Sequence, residues 1–352
     1  MEFHWLTQEE GEKHWDQALD RFPGISFSLL YGWRKVYEKA LKLKTHYLMV
    51  EADGRVMGLC PLVYMKSPWL GRGTFLISLP YMTRAGICAP DQKTRDTMIN
   101  RLIDKARELK AGFVELRELT SDRFPASFPS NDEHVQMVLE LPEDWARYEK
   151  EIAPRLRQVK KAQKAGLEIR TGKGESLLSD FYRVFSQRMR ELFFPVYPKN
   201  YFGMILKIFQ EEAQLVLVYD QGKPLGGMLL FKFRDTCSVP YVATLVEHQV
   251  SHPNQLLYYG AIRQAWEEGY RNFDFCRSQV NSGTFNFKSQ WKAKPQGLTY
   301  LYPLCKGERP VPSVGQAQKS TAFLLAGKIW PRLPLPVTQW LGGKLIRQLV
   351  LA

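Results

Sequence analysis

The chain has 352 residues, of which 45% are hydrophobic and 13% aromatic, and this composition excludes a wholly disordered protein. At this length, two domains of about 150 residues each are the natural expectation. The formal charge of +13 favours an anionic partner such as nucleic acid, a phosphorylated substrate or an anionic membrane surface, without choosing among them.

The sequence gives no sign of a disulfide framework, a metal site or a membrane-spanning segment. Its five cysteines are scattered and include no Cys-x-x-Cys pair; they are Cys60, Cys88, Cys237, Cys276 and Cys305. The opening residues, MEFHWLTQEEGEKHW, do not resemble a signal peptide, and no run of 18 apolar residues occurs. We therefore expect a cytoplasmic protein without a metal and without a tightly bound cofactor.

The first half of the chain predicts a hairpin, then a strand, a helix and a further strand. Apolar residues 47–50 lead into Asp53-Gly54, a pair that is typical of a tight turn between two strands. A helix is predicted downstream by apolar residues at helical spacing, namely Met98, Leu102, Ala106 and Leu109. Gly112 suits the end of that helix, and FVELRE follows as a strand.

The second half repeats this order about one domain length later. Residues 215–219 form an apolar run that leads into a turn at 220–223, and a strand with Gly226 and Gly227 follows. NQLLYYGAIRQAWEEG then predicts a helix that ends at Gly269, before the strand FDFCRS. We therefore predict a mixed α/β (α+β) fold with a duplicated domain. The expected boundaries are 1–145 for the N-terminal domain, 146–305 for the C-terminal domain and 306–352 for a tail.

A row of cations lies on the helix predicted at the start of the second domain. Its members fall at positions i, i+3, i+4 and i+7, which places them on one face: Arg157, Lys160, Lys161 and Lys164. Like charges at these spacings repel each other, so helix stability does not explain them. They form either a solvated cationic face or a site for the phosphates of a donor such as coenzyme A or a tRNA.

The tail differs in kind from the two domains. From Arg309 onward it has six Lys or Arg residues, no Asp or Glu, and five prolines between short apolar patches. This combination is typical of a segment that binds an anionic lipid surface, and an equally open alternative is that it packs on the protein's own domains.

Polar residues that suit a catalytic site follow the strand FDFCRS. Asp274, Arg277 and Ser278 stand at its end, and Lys288 lies on the next short element. Because active sites of open α/β sheets lie at the carboxyl ends of strands, these side chains are candidates to bind an anion and polarise a carbonyl group. A purely structural ion pair of Asp274 with Arg277 or Lys288 is the alternative.

Longer stretches of the second half resemble the FemAB superfamily, and within it the FemAB-related proteins of exosortase/PEP-CTERM systems. The resemblance covers roughly 150 residues and follows the family's order; it is carried by PRLRQVKKAQKAGLEIR, FYRVFSQRMRELFFPVYPKNYF, GKPLGGMLLFKF, SHPNQLLYYGAIRQAWEEGYRNFDFCRS and GTFNFKSQWKAKP. The first half is similar to the divergent first domain of that family. The resemblance implies two tandem GNAT-like domains, which have the acyl-CoA N-acyltransferase fold.

The resemblance also implies roles for individual residues. A lysine after an aromatic residue helps FemAB enzymes to bind substrate and to stabilise the transition state, and Phe287-Lys288 matches that pair. Asp274 and Arg277 are carried over as further catalytic candidates. The expected substrate-binding residues are Phe287, Ser278, Tyr258, Tyr241 and Tyr197.

The chain departs from the family pattern in three places. The pyrophosphate-binding loop of ordinary GNAT enzymes is not visible in VEHQVSHPNQLLYY, and the coiled-coil arm of the classical aminoacyltransferases is missing. Phe193 and Phe194 replace the small pair usual before the proline of the RELFFPVYPK loop, which would reshape an acceptor pocket.

The function that follows from the resemblance is transfer of an acyl or aminoacyl group to an amine of a cell-envelope or exopolysaccharide precursor. Acyl-CoA or aminoacyl-tRNA would be the donor substrate, and residues 306–352 would hold the protein peripherally at the anionic inner membrane. The alternatives are an acyl-CoA-dependent N-acetyltransferase and a non-catalytic GNAT-like scaffold of a membrane-associated exopolysaccharide or protein-sorting system.

Overall fold

The computed structural model describes residues 1–67, 73–120, 128–246, 251–303, 327 and 329–349. The chain divides into two compact units, each made of separate segments. Unit 1 consists of Met1–His134, Gly297–Gly327 and Lys344–Ala352, and unit 2 of Val135–Gln296 and Lys328–Gly343.

The sheet of unit 1 runs in the order β1-β2-β3-β4-β5-β12. Its neighbouring strands are antiparallel, except for the parallel pair β4 and β5. The strands are β1 (Glu2–Trp5), β2 (Lys44–Ala52), β3 (Arg55–Ser67), β4 (Gly73–Ile77), β5 (Phe113–Leu119) and β12 (Lys294–Leu301).

The main helix of unit 1 packs on this sheet through one apolar stripe. It is α3 (Gln92–Glu108), which begins where the Asp91 carboxylate accepts a hydrogen bond from Thr94 N at 2.8 Å. Its buried stripe meets the strands in one core cluster and includes Met98, Ile99, Leu102 and Ala106. The other helices of unit 1 are α1 (Gln8–Leu19) and α2 (Gly32–Lys35), which continues as a π-helical turn over Val36–Ala40.

The sheet of unit 2 runs in the order β6-β11-β10-β9-β8-β7, and β10 and β11 are its parallel pair. β7, β8, β9 and β10 are antiparallel to their neighbours within that series. The strands are β6 (Ser130–Glu140), β7 (Glu168–Gly172), β8 (Ala213–Asp220), β9 (Lys223–Phe233), β10 (Thr236–Thr244) and β11 (Asn272–Gln279).

The helices of unit 2 cover its sheet. α8 (Pro253–Glu267) contributes Leu257, Ala261 and Ile262 to the core, and α5 (Ala153–Lys164) adds Val159 and Ala162. The remaining helices are α4 (Trp145–Glu151), α6 (Glu175–Glu191), α7 (Lys199–Ile208), α9 (Gly283–Ser289) and α10 (Leu335–Leu345).

The duplication predicted from the sequence is confirmed, because each unit has four successive antiparallel strands, then a helix, then a strand parallel to the fourth. The strand beyond each parallel pair comes from the other half of the chain: β12 pairs with β5, and β6 lies beside β11. The units are therefore discontinuous, whereas the sequence predicted continuous domains.

The local turn predictions were mostly correct. Both predicted hairpins form, with Asp53 and Gly54 at φ +51° and +69°, and Gln221 and Gly222 at φ +45° and +80°. Gly269, at φ +82°, follows the end of α8 as predicted. The prediction for Gly112 was wrong. Lys110 takes the left-handed conformation after α3, at φ +54°, whereas Gly112 donates its N–H to the Thr74 carbonyl at the start of the sheet.

The described part of the tail packs on the protein's own residues, which was one of the two alternatives left open by the sequence. Within unit 2, Gln339 Nε2 donates to Ser186 Oγ at 3.1 Å, and an Arg190 nitrogen donates to the Leu333 carbonyl at 3.2 Å. Gly342 is buried so closely against Val196 that a Cβ atom there would lie 2.7 Å from Val196 N. Tail residues 306–326, 328 and 350–352 lie outside the described residues. Among the described residues, no helix is long and apolar enough to cross a membrane.

Candidate active site

The parallel pair of unit 2 separates at the predicted site. β10 and β11 are in register from Thr236 opposite Asn272 to Ser238 opposite Asp274. β10 then bulges between Ser238 and Tyr241, while Cys276 on β11 adopts the left-handed conformation at φ +59°. This conformation is rare for a residue with a side chain and marks a local constraint. The separated strand ends leave backbone groups available for other partners.

Asp274 holds Cys276 in this left-handed conformation. It is 3% exposed, and one carboxylate oxygen accepts a hydrogen bond from Cys276 N at 2.7 Å, which ties the strand to its own side chain. The other oxygen accepts from Gln136 Nε2 at 2.8 Å and from Ser238 Oγ at 3.5 Å. Because several donors occupy this buried carboxylate, the geometry suits a positioning residue.

Lys288 is held by the backbone that Asp274 shapes. Its ammonium donates to the carbonyls of Cys276 at 3.1 Å and Arg277 at 2.8 Å, from α9, whose N-cap is Ser282. The residue is 7% exposed, and burial lowers the pKa of Lys288 to about 8; Cys276 and Asp274 oppose this shift, and Arg277 adds to it. An ammonium has three N–H donors. Two are used here, so one can serve a substrate oxygen.

Aromatic rings form the apolar side of the site. Tyr258 of α8 stacks on Phe275 with ring centroids 5.4 Å apart and lies 5.1 Å from the Phe287 ring. Burial raises the pKa of Tyr258 and keeps its hydroxyl neutral. Phe287 is partly buried and packs against the core of unit 2. Two of the predicted site residues, Tyr258 and Phe287, are thus in ring contact beside the strand end.

Three buried polar atoms near these elements have no hydrogen-bond partner among the described residues. They are Gln136 Oε1, Ser278 Oγ and Trp291 Nε1. A buried polar group without a partner costs about 1–3 kcal/mol, so a ligand or water that bonds to one of these atoms would recover that free energy. Ser278 was predicted from the sequence. Gln136 was missed, because β6 lies 138 residues before Asp274 and nothing in its local sequence signals that contact.

Three groups of further predicted residues also lie in unit 2. Tyr197 stacks on Tyr201 at 4.7 Å, and the Tyr201 and Tyr241 hydroxyls are 2.7 Å apart, so these tyrosines form a buried cluster. Phe193 lies 6.2 Å from the tail's Trp330 ring. The cationic row is confirmed as an exposed face of α5 and comprises Arg157, Lys160, Lys161 and Lys164. Its role as a donor phosphate site stays a prediction. Residues 247–250, which precede α8 in the stretch VEHQVSHPNQLLYY, lie outside the described residues.

Unit 1 has a carboxylate at the position equivalent to Asp274, with a different partner. Glu115 is the third residue in register on its parallel pair, opposite Ile77, as Asp274 is opposite Ser238. Its carboxylate binds Arg117 Nε at 2.6 Å, and both side chains are almost fully buried. Burial alone would lower the pKa of Arg117, but the charge of Glu115 raises it above its ordinary value. Among the described residues, this strand end therefore carries a closed ion pair where unit 2 has the lysine.

Residues 148–289 match the model of the acetyltransferase (GNAT) domain family. This segment contains Asp274, Lys288 and the aromatic residues around them. The chain is similar in structure to a tandem GNAT protein from the clavulanic acid biosynthesis pathway, with a TM-score of 0.53 and 11% identity over 86% of this chain and 97% of the other.

The chain has two GNAT-like domains in tandem.

The GNAT-like fold is shared with two further solved structures. FemX aligns with a TM-score of 0.62 and 16% identity over 86% of this chain and 98% of FemX. A protein from Agrobacterium fabrum, assigned as the C-terminal domain of a lysylphosphatidylglycerol synthetase, aligns with a TM-score of 0.58 and 11% identity over 92% and 97%. No curated protein matches this sequence. The family match supports an acyltransferase domain at residues 148–289, and the similarity to these solved structures supports the fold.

Proposed function

We propose that this GNAT-like protein transfers an acyl or aminoacyl group to the amine of a cell-envelope or exopolysaccharide precursor, at the end of β11. The observation that carries the proposal is the buried Lys288 ammonium, fixed by two carbonyls at the point where β10 and β11 separate. The predicted relationship to FemAB-related proteins of exosortase/PEP-CTERM systems remains part of this proposal.

In the proposed reaction, the nitrogen of the acceptor amine attacks the carbonyl carbon of a bound ester or thioester. A C–N bond forms, the C–O or C–S bond breaks, and the amine proton leaves with the alkoxide or thiolate. The third N–H of Lys288 donates to the carbonyl oxygen as negative charge develops on it, an interaction worth roughly 3–4 kcal/mol in comparable oxyanion sites. Asp274 positions the carbonyls that hold Lys288, and Arg277 assists through its positive charge.

The family resemblance and the similar solved structures indicate two classes of donor to test. The resemblance to the FemAB superfamily favours aminoacyl-tRNA as a donor, and FemX and the lysylphosphatidylglycerol synthetase domain share the fold of this chain. The tandem GNAT protein favours acyl-CoA. The exposed cations of α5 would bind the phosphates of either donor, since both are polyanions.

The outer face of the tail supports a location at an anionic membrane, such as the inner face of the bacterial inner membrane. Ile329, Val337 and Trp340 are 50%, 39% and 61% exposed, and the cations Arg332 and Lys344 are exposed beside them in the sequence. Apolar and aromatic residues flanked by cations are typical of interfacial helices. Co-sedimentation with phosphatidylglycerol vesicles tests this location: Trp340→Ser should weaken binding, and equal binding to neutral vesicles would contradict it.

The transfer is tested with purified full-length protein, a mixture of amine acceptors and two labelled donor pools, aminoacyl-tRNA and acyl-CoA. Amide product that depends on the protein supports the proposal, and the productive donor pool decides between aminoacyl transfer and acyl-CoA-dependent N-acetylation. A failure of both pools to give product with lipid-linked and soluble acceptors would favour the non-catalytic scaffold.

A further inference from the structure

Three polar side chains of unit 2 share one buried face of its sheet. Side chains along a strand alternate between the two faces. The residues on either side of each polar one belong to the apolar core: Val135 and Met137 of β6, Cys237 and Val239 of β10, and Phe273 and Phe275 of β11. Gln136, Ser238 and Asp274 therefore lie on the opposite face, and they are 4%, 3% and 3% exposed. The first two donate hydrogen bonds to the Asp274 carboxylate.

The Asp274 carboxylate fixes the orientation of the Gln136 side-chain amide. An ionised carboxylate only accepts hydrogen bonds, so the NH2 end of the amide must face it, as it does at 2.8 Å. The amide oxygen Oε1 is therefore turned away from Asp274, and it has no hydrogen-bond partner among the described residues. A ligand group that donates a hydrogen bond to Oε1 would recover the free energy of the missing bond.

Gln136 Oε1 differs in chemistry from the other two unpartnered atoms near the site. Trp291 Nε1 can only donate a hydrogen bond, the Ser278 hydroxyl can donate or accept one, and an amide oxygen can only accept. The Gln136 oxygen therefore selects a ligand group that has an N–H or O–H. In the proposed reaction the ester or thioester carbonyl only accepts, and it pairs with the Lys288 ammonium. The acceptor amine is the reacting group that has N–H donors.

We infer that Gln136 Oε1 accepts a hydrogen bond from an N–H of the acceptor amine and so helps to select and orient it, an inference that rests on the proposed transfer. Asp274 contacts Gln136 Nε2 with one oxygen and Cys276 N with the other, and the Cys276 carbonyl holds Lys288. The negative charge of this carboxylate beside the amide favours the positive N–H end of an amine there. Gln136 lies outside residues 148–289, so the family match does not cover it.

Steady-state kinetics of full-length Gln136→Met test this contact, with the donor and the acceptor amine that give product. Methionine fills a similar volume and has no amide oxygen, so the KM of the acceptor amine should rise about tenfold while the KM of the donor stays unchanged. Gln210→Met, at an exposed glutamine of unit 2, is the control and should leave both constants unchanged. A rise in the donor KM, or a fall in kcat with the acceptor KM unmoved, would overturn the inference and leave Gln136 only to hold Asp274.

A binding measurement on the wild-type protein separates this inference from the proposed transfer. The probe is methylammonium, which has a charge and N–H groups, and the matched probe is tetramethylammonium, which has a charge and no N–H. The side-chain amide resonance of Gln136, assigned by its absence from the NMR spectrum of Gln136→Met, should shift saturably with methylammonium alone. So small a ligand should have a dissociation constant of about 10 mM or weaker. A saturable shift in a protein that forms no transfer product would support the amine site and contradict the proposed transfer. No shift with methylammonium, or the same shift with both probes, would overturn the inference.

Discussion

Lys288 illustrates how a single buried cation is both costly and useful. Its side chain is buried, and its charge is favoured by two backbone carbonyls and by Cys276 and Asp274, and opposed by Arg277. Burial therefore wins, and the pKa falls to about 8. At neutral pH the ammonium is still mostly charged, so it can stabilise a developing oxyanion without strong competition from water.

The lowered pKa of Lys288 predicts an alkaline limit on activity. In the proposed reaction the charged form of Lys288 is the active one, so kcat/KM should fall as pH rises through about 8. Lys288→Arg keeps a positive charge at any accessible pH, and its residual activity should lack that falling limb. The pH profiles of the two proteins provide the measurement; the same limb in Lys288→Arg would assign it to another group.

Asp274 should be visible through its effect on the same pKa. Asp274→Asn removes a charge that raises the pKa of Lys288, so the alkaline limb should move to lower pH. It also disturbs hydrogen bonds with Gln136 and Cys276, and we expect a loss of stability of about 1–3 kcal/mol. Denaturant unfolding and the pH profile measure the two effects. A loss of stability with an unmoved limb would make Asp274 a purely structural residue.

At the scale of elements, the sequence was most informative where structure is local. The hairpin turns at Asp53-Gly54 and residues 220–223 follow from the backbone preferences of a few adjacent residues, and they form as predicted. The helix end at Gly112 was misplaced, because Lys110 accepts the left-handed conformation and Gly112 instead bonds to Thr74. Helix termini depend on such nearby contacts, which periodicity does not reveal.

The packing of α10 on unit 2 depends more on Gly342 than on the adjacent Gly343. At Gly342 a Cβ atom would lie 2.7 Å from Val196 N, which is backbone and cannot move aside, whereas at Gly343 it would lie an ordinary 3.6 Å from Pro198 Cβ. Gly342→Ala should therefore loosen α10, and hydrogen exchange across residues 335–343 should become faster. Gly343→Ala is the matched control and should exchange like the wild type. Equal exchange in both variants would show that α10 is not held at this contact.

At the scale of the whole molecule, the duplicated order of elements was readable in the sequence, and the origin of the outer strands was not. Pairing of β12 with β5 joins residues far apart in sequence, and no local pattern specifies it. The same limit applies to the site, where Ser238 and Gln136 meet Asp274 from other strands. Their position after a strand made Asp274 and Lys288 candidates for the site, but it left a structural ion pair equally open. The family resemblance favoured the catalytic interpretation, which stays a prediction.

Strand β6 comes from the first half of the chain but lies in the sheet of unit 2. It therefore predicts which fragment of unit 2 folds on its own. Residues Val135, Met137 and Leu139 of β6 belong to the core of unit 2, so a fragment 146–303 lacks them and exposes the edge of β11. A fragment 128–303 retains them. We expect the longer fragment to unfold cooperatively at a clearly higher temperature, by circular dichroism, and the shorter one to aggregate or melt without a sharp transition. Similar melting of the two would show that β6 is dispensable for unit 2.

The most direct measurement is single-turnover transfer by wild type and by Lys288→Met, with the donor and acceptor that give product. Methionine fills a similar volume and has no charge, so the fold should be kept while the oxyanion donor is lost. The account predicts a rate roughly 100- to 1,000-fold lower, with a comparable melting temperature, while Lys294→Ala, at an exposed lysine, stays near the wild-type rate. A Lys288→Met rate within a factor of about three of wild type would contradict the central role of this lysine.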